Sequence, residues 1–249
     1  MSGHSKWATI KHKKAALDAK RGAAFTRITR EIVTAAKEGG GDPNKNPRLR
    51  TAMLRARGIN MPSSNVENAI KKGTGELPGV TYESFTFDAY APGGIAVFIE
   101  GLTDNKNRTT AEVRNILTRK NGSLASPGSV AFLFNKKGLI VVEVKVINET
   151  DLMDLVLEAG AEDMTVQDDV YEITTDPSSF EAVRSAIEAR QIVMKSAEVT
   201  MIPTTTVKVT GSEAKNVLAL VDALEDYEDV QNVYANFDIS DEDMAALEG

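Results

Sequence analysis

Few groups in this chain could make or break a covalent bond. Its two histidines, His4 and His12, stand eight residues apart in a lysine-rich stretch, and there is no cysteine. Without Cys there is no thiol nucleophile, no disulfide and no thiolate metal site. Two histidines with no neighbouring carboxylate make a poor zinc site, and a Ser-His-type triad has no base near a candidate serine. "GTGELP" (73–78) starts like a dinucleotide-binding fingerprint, but Pro78 stands where the third glycine belongs and no strand precedes it, so it reads as a linker. No GxxxxGK[ST] phosphate loop occurs, and the Asp168–Asp169 pair reads as a solvated loop. No catalytic residue, cofactor or metal ion is expected.

Cations are the other chemistry on offer. The chain carries a net charge of −7, yet residues 1–75 hold 16 Lys or Arg against 5 Asp or Glu. The balance is near neutral over 76–135, then turns to −8 over 136–204 and −9 over 205–249. A block of +11 is the footprint of a polyanion partner, and the acidic remainder should face away from it. A solvated helix face is the bland alternative for any charge run. Here the cations lack local acids to pair with, and they continue over several helices. On "NPRLRTAMLRARG" (46–58), Leu49, Ala52, Met53 and Ala56 form one inward stripe, with Arg48 and Arg55 on one side of it and Arg50 and Arg57 on the other. Such rows suit phosphate oxygens, which guanidinium groups bind bidentately. The candidate nucleic-acid-binding set is Lys6, Trp7, Lys11, Lys13, Lys14, Lys20, Arg21, Arg27, Arg30, Arg48, Arg50, Arg55 and Arg57. Trp7 is the single tryptophan, either a core anchor or a surface on which a base could stack. Lys106 and Arg108, in "TDNKNRTTAEVR" (103–114), are a secondary contact. They either sit in an ordinary capped loop with Asp104, Asn105 and Asn107, or form an anion-binding corner at a helix N-terminus.

The elements that position these groups fall into three blocks. Residues 1–75 read as helices. One runs over about 23–37 on Phe25, Ile28, Ile32 and Ala36, and ends at the glycines of "EGGGDP". A second runs over 46–58, capped by Asn46 with Pro47 in its first turn. A third, over 63–73, carries a Ser64–Glu67 capping box and leaves at Gly73. Beyond the "GTGELPG" linker, 82–102 gives two strands around a Pro-Gly-Gly turn, 109–122 a helix and "SVAFLF" (129–134) a short buried strand. Residues 138–202 read β-α-β-β-α-β, the ferredoxin-like order. The closing pair, a helix over 212–227 and a strand over 230–237, is too small to stand alone and should complete the sheet begun at 82–134.

The fold class is therefore α+β with three domains: a basic helical domain (1–75), an α+β domain (80–135 plus 205–240), and a ferredoxin-like domain (136–204) inserted into it. No apolar run approaches the roughly 18 to 20 residues that span a bilayer, and the N-terminus lacks the apolar core of a secretory signal. A cytoplasmic protein is expected.

"GHSKW" (3–7), "IKHKKAALDAKRGAAF" (10–25), "NPRLR" (46–50), "NMP" (60–62), "AIKKG" (69–73), "YAPGG" (90–94), "TDNKNRT" (103–109) and "SPGSVAFLF" (126–134) occur in this order. Together they resemble the YebC/PmpR family, whose mitochondrial relative is the translational activator of cytochrome c oxidase subunit I. The resemblance spans nearly the whole chain from residue 2, so no presequence is expected. It departs at "FDAYAPGG", where a Glu-Gly pair before the Tyr is commoner, and at Asn68, where the family favours a basic residue. The resemblance implies the same three domains and a non-enzymatic factor in gene expression. Two roles come with it: a regulator on promoter DNA, and a ribosome-bound factor that supports translation through proline runs. No clear helix-turn-helix with a polar recognition helix stands out, and Lys/Arg-rich helices with glycine-punctuated loops suit structured ribosomal RNA at least as well as DNA. The acidic domains are left as spacers or protein-docking modules, with no small-molecule substrate or membrane partner expected.

Overall fold

Apolar side chains three and four residues apart decide how the first helices meet. In the computed structural model, which describes residues 21–167, 169–240 and 243, these are α1 (Arg21–Gly39), α2 (Pro47–Gly58) and α3 (Ser63–Thr74). Ile32, Val33, Ala35 and Ala36 of α1 pack with Leu49, Ala52 and Ala56 of α2 and with Val66 and Ala69 of α3. The central helix α1 touches both others. Asn46 staples α1 to α2. Its Oδ1 accepts from Leu49 N (3.0 Å), while Nδ2 donates to Ala35 O (2.7 Å) and Gly40 O (2.8 Å). Gly73 brings α3 against α1, because a Cβ there would stand 2.5 Å from Val33 O and 2.7 Å from Ala36 Cβ. That contact leaves room for no larger residue.

The same compact unit contains a four-stranded antiparallel sheet. Strands β1 (Glu83–Ala91) and β2 (Ile95–Thr103) form the expected hairpin, closed by Pro92–Gly94 with positive φ at Gly93 and Gly94. The helix α4 (Lys106–Arg119) and the short strand β3 (Ser123–Leu124) follow. Much later in the chain come α7 (Gly211–Glu225) and β9 (Val230–Ala235), and β9 pairs with β2 to give the order β3-β1-β2-β9. The closing helix–strand pair thus returns to the earlier sheet, as its small size required. Val113 and Leu117 of α4 and Val217, Leu220 and Leu224 of α7 are buried where these helices pack together and on the sheet.

A second compact unit comprises residues 132–208 with 236–240. Its strands β4 (Phe134–Glu143), β5 (Ala161–Gln167), β6 (Val170–Thr175) and β7 (Met194–Pro203) pair antiparallel in the order β5-β6-β4-β7. With α5 (Glu149–Glu158) after β4 and α6 (Phe180–Ala189) after β6, this is the ferredoxin-like β-α-β-β-α-β arrangement. Ile140, Val142, Leu152, Val156, Ile173, Val183 and Ile187 form its core. A small parallel pair, β8 (Val207–Lys208) with β10 (Phe237–Asp238), completes the unit.

Three local expectations change. Residues 129–134 are not a strand: Gly128 takes φ +84°, Ala131–Leu133 form a 3-10 turn, and only Phe134 enters β4. The cause is Asp88, whose Oδ2 accepts from Val130 N (3.1 Å) and so removes that donor from any ladder. The Ser64–Glu67 capping box is absent. Pro62 occupies the N-cap position with no side-chain cap, and the helix passes through Gly73 to a left-handed Gly75. Finally, α4 starts at Lys106 because Asn105 caps it, its side chain accepting from Arg108 N (3.1 Å). Thr109, expected near the helix start, lies a full turn inside it.

Candidate nucleic-acid interface

Lys6, Trp7, Lys11, Lys13, Lys14 and Lys20, together with His4 and His12, lie outside the described residues. Arg21 begins α1. The remaining candidates divide according to what holds their side chains.

Helix α2 carries four arginines and no carboxylate. Arg50, Arg55 and Arg57 are exposed, and among the described residues no carboxylate pairs with them. Arg48 differs. Its Nε and Nη2 meet the two Glu31 oxygens (2.8 and 3.2 Å) and its Nη1 meets Glu38, so it braces α2 against α1. The hydrogen bonds that it donates to Glu31 raise its pKa above the ordinary arginine value. Between the arginine rows, the outermost ridge of α2 holds Pro47, Thr51, Leu54 and Gly58, all exposed. The Thr51 hydroxyl donates back to Pro47 O (3.1 Å), and Leu54 is 53% exposed. That ridge therefore offers almost nothing that could read a base edge. At the C-terminal end of α3, Lys71 and Lys72 are exposed and extend the cationic surface of the helical part. Neither stands in the candidate set read from the sequence, although "AIKKG" shows both plainly.

Arg30 faces inward instead. It is 8% exposed, and Nη1 donates to Asp229 Oδ1, to Glu228 O (2.8 Å) and to Leu102 O (3.3 Å). Its guanidinium carbon lies 5.3 Å from the centre of the Tyr82 ring. Arg30 is thus committed to the protein, as a buried cation must be. Arg27 is half-buried on the same helix. Burial lowers its pKa, while the charges of Glu225 and Asp226 raise it.

Arg30 and Arg108 converge on one carboxylate. Asp229, whose side chain is 0% exposed, follows the turn after α7. Its Oδ2 accepts from Thr109 Oγ1 (2.6 Å), Tyr227 OH (2.8 Å) and Arg108 Nη2 (2.9 Å), with Thr103 Oγ1 at 3.3 Å. Burial alone would raise the pKa of this carboxyl. The hydrogen bonds from Arg108, Thr109, Tyr227 and Arg30 outweigh burial and hold it at about 2. The same contacts raise Arg108, Asp229 first and Asp104 second. Tyr227 is raised by burial and by its bond to Asp229. Gly101 of β2 makes the approach possible, since a Cβ there would stand 2.2 Å from Asp229 O.

In the "TDNKNRT" stretch the cap of the bland reading is present at Asn105, and the binding of Asp229 is a structural task that neither sequence reading contained. Thr103, Arg108 and Thr109 bind Asp229, Asn105 caps α4, and Asp104 holds Arg108 at 2.7 Å. Lys106 alone of its cations is exposed and unpaired among the described residues. Sequence reasoning missed Asp229 because "EDYED" (225–229) looks like a solvated acidic turn. One signal within the segment was the interleaved Tyr227, a residue that seeks burial for its ring.

Residues 5–76 match the family model described as the TACO1/YebC protein N-terminal domain, and residues 82–237 match that of the TACO1/YebC second and third domain. The chain belongs to the TACO1/YebC family. It is 57% identical to a probable transcriptional regulatory protein of Geobacter sp. (strain M21), over 99% of this chain and 100% of that one. A counterpart of the same name from Geobacter sulfurreducens is 55% identical over the same shares. Among solved structures, the conserved hypothetical protein Aq1575 from Aquifex aeolicus superposes with a TM-score of 0.79 at 42% identity, covering 91% of this chain and 94% of that one. The three-domain α+β fold read from the sequence is that of the family, and its relatives carry the name of regulators. Among the described residues no helix is long and apolar enough to cross a membrane, and no cluster of His, Asp and Glu could hold a metal ion.

Proposed function

We propose that this chain is a non-enzymatic, nucleic-acid-binding regulator of gene expression that works in the cytoplasm and grips phosphates through its helical domain. The observation that carries the reading is α2, which has four arginines and no carboxylate, three of them exposed and unpaired among the described residues. An unpaired arginine row on a stable helix is suited to phosphate oxygens and does little for stability. The names of the relatives favour promoter DNA as the target and transcription as the process. One observation favours ribosomal RNA instead. The ridge between the arginine rows carries Pro47, Thr51, Leu54 and Gly58 where a base-reading helix carries Asn, Gln, Arg or Lys. A helix of that kind holds a backbone by shape and charge, the mode by which folded RNA is bound. Lys106 is the secondary contact in this reading, and the acidic second unit serves as a spacer or a docking module for protein partners.

The test is charge reversal of Arg50, Arg55 and Arg57 to Glu, with affinity for duplex DNA and for a ribosomal RNA fragment followed against salt. Wild-type log affinity should fall steeply with log salt, and the triple variant should lose about 2 to 3 from that slope on the preferred ligand. Its thermal unfolding should match the wild type, because none of the three side chains is buried. Equal binding by the variant and the wild type would refute the assignment. Preference for one promoter sequence over competitor DNA selects the transcriptional role. Preference for the RNA fragment over duplex DNA selects the translational one.

A further inference from the structure

Charge pairs run in series from α2 to α4. Arg48 of α2 is bound to Glu31 of α1, and the preceding residue of α1, Arg30, is bound to Asp229. Asp229 in turn holds Arg108 and Thr109 of α4. The five side chains that meet Asp229 come from four parts of the unit: α1, the end of β2, the first turn of α4, and the turn between α7 and β9. The carboxylate has no exposed surface and is met by donors on both oxygens, so it acts as a joint between these elements. Exposed cations lie at both ends of the series. Arg50, Arg55 and Arg57 stand on α2, and Lys106 stands two residues before Arg108 on α4.

Resting on the nucleic-acid reading above, we propose that Asp229 is a positioning residue that locks the helical domain onto the α+β domain, so that the α2 arginines and Lys106 grip one nucleic acid as a single rigid footprint. Two cationic surfaces held in fixed register add their contacts without a second loss of freedom, whereas two loosely linked surfaces do not.

A double-mutant cycle tests this. Affinities for a DNA duplex and an RNA duplex of the same sequence, two helical turns long, would be measured for the wild type, Lys106→Glu, Thr109→Val, Asp229→Asn and the two double variants. Thr109→Val removes one donor from Asp229 with little change of shape and serves if Asp229→Asn does not fold. In the wild type, Lys106→Glu should weaken binding by roughly tenfold, the worth of one charge-assisted contact. In the Thr109→Val or Asp229→Asn background the same substitution should cost less than about twofold, and the salt slope should already be shallower. A mere loss of stability would leave both the slope and the cost of Lys106→Glu unchanged in folded protein. The proposal fails if Lys106→Glu costs the same in every background, or costs nothing in the wild type. Failure of the underlying reading looks different: charge reversal at Arg50, Arg55 and Arg57 would then leave affinity intact.

Discussion

Replacing Asp229 by Asn keeps the shape of the joint and removes its charge. Arg30 would then be a cation at 8% exposure, left with two backbone carbonyls and with the Glu228 carboxylate at 3.6 Å. Removing one partner of a buried pair typically costs about 3 to 5 kcal/mol, because the remaining charge is stranded. The two carbonyls and Glu228 soften this, so the lower end, about 3 kcal/mol, is expected. For a chain of this size that corresponds to roughly 6 to 12 °C in melting temperature. The matched control is Asp104→Asn. Asp104 also binds Arg108, at 2.7 Å, but its side chain is 34% exposed, and pairs of that kind are worth about 1 kcal/mol or less. Urea denaturation followed by circular dichroism gives both numbers from the midpoint and slope. If Asp229→Asn costs no more than Asp104→Asn, the reasoning from burial is wrong and the joint is an ordinary surface ion pair.

Acid should expose the same group. The pKa of Asp229 is lowered on folding to about 2, from an unfolded value near 3.9, so it stabilises the fold above the unfolded value. That contribution, about 2 to 3 kcal/mol, is lost as pH falls through about 4 toward 2. Wild type and Asp229→Asn should therefore converge in stability over that window, and a constant gap between pH 5 and 2.5 would contradict the assignment. At the α1–α3 crossing, Gly73→Ala should destabilise by about 1 to 3 kcal/mol despite the better helix propensity of alanine, because its methyl meets Val33 O and Ala36. A thermal melt at or above that of the wild type would show that the crossing can relax.

Periodicity carried most of the fold because it reports on burial, and burial here follows the stripes. Ile32 and Ala36 of α1, and Leu49, Ala52 and Ala56 of α2, are all buried where their spacing put them inward. The ferredoxin-like order was legible for the same reason: β4 and β6 are apolar-rich runs, and α5 and α6 bury Leu152, Val156, Val183 and Ile187 at helical spacing. What failed was local and had a distant cause. "SVAFLF" has the composition of a strand, but the carboxylate of Asp88, 42 residues earlier, takes the amide of Val130. Ser64 and Glu67 have the spacing of a capping box, but Pro62 sets the helix entry without them.

The arginines make the same point about the site. Arg27, Arg30, Arg50 and Arg57 are indistinguishable by type, and all four lie in the basic block. A guanidinium binds a carboxylate and a phosphate through the same fork of donors, so residue type cannot say which it meets. Arg30 meets Asp229, 199 residues away in the chain, while Arg50 and Arg57 meet no carboxylate among the described residues. The helix that carries them separates them, since both kinds stand beside an apolar stripe. Arg30 lies just beyond Val33 at the edge of the apolar stripe of α1, the helix that touches both α2 and α3, whereas Arg50 and Arg57 flank a ridge of exposed residues on α2. A cation adjacent to an apolar stripe on a central helix is accordingly a candidate for a buried partner. The acidic "EDYED" that closes α7 and forms the turn after it was the complementary half of that signal, four carboxylates around one tyrosine, facing a helix whose arginines outnumber its own acids in the first two turns. Excess positive charge in residues 1–75 thus serves two ends: part of it binds the acidic part of the same unit, and the part left exposed on α2 is what a polyanion would meet.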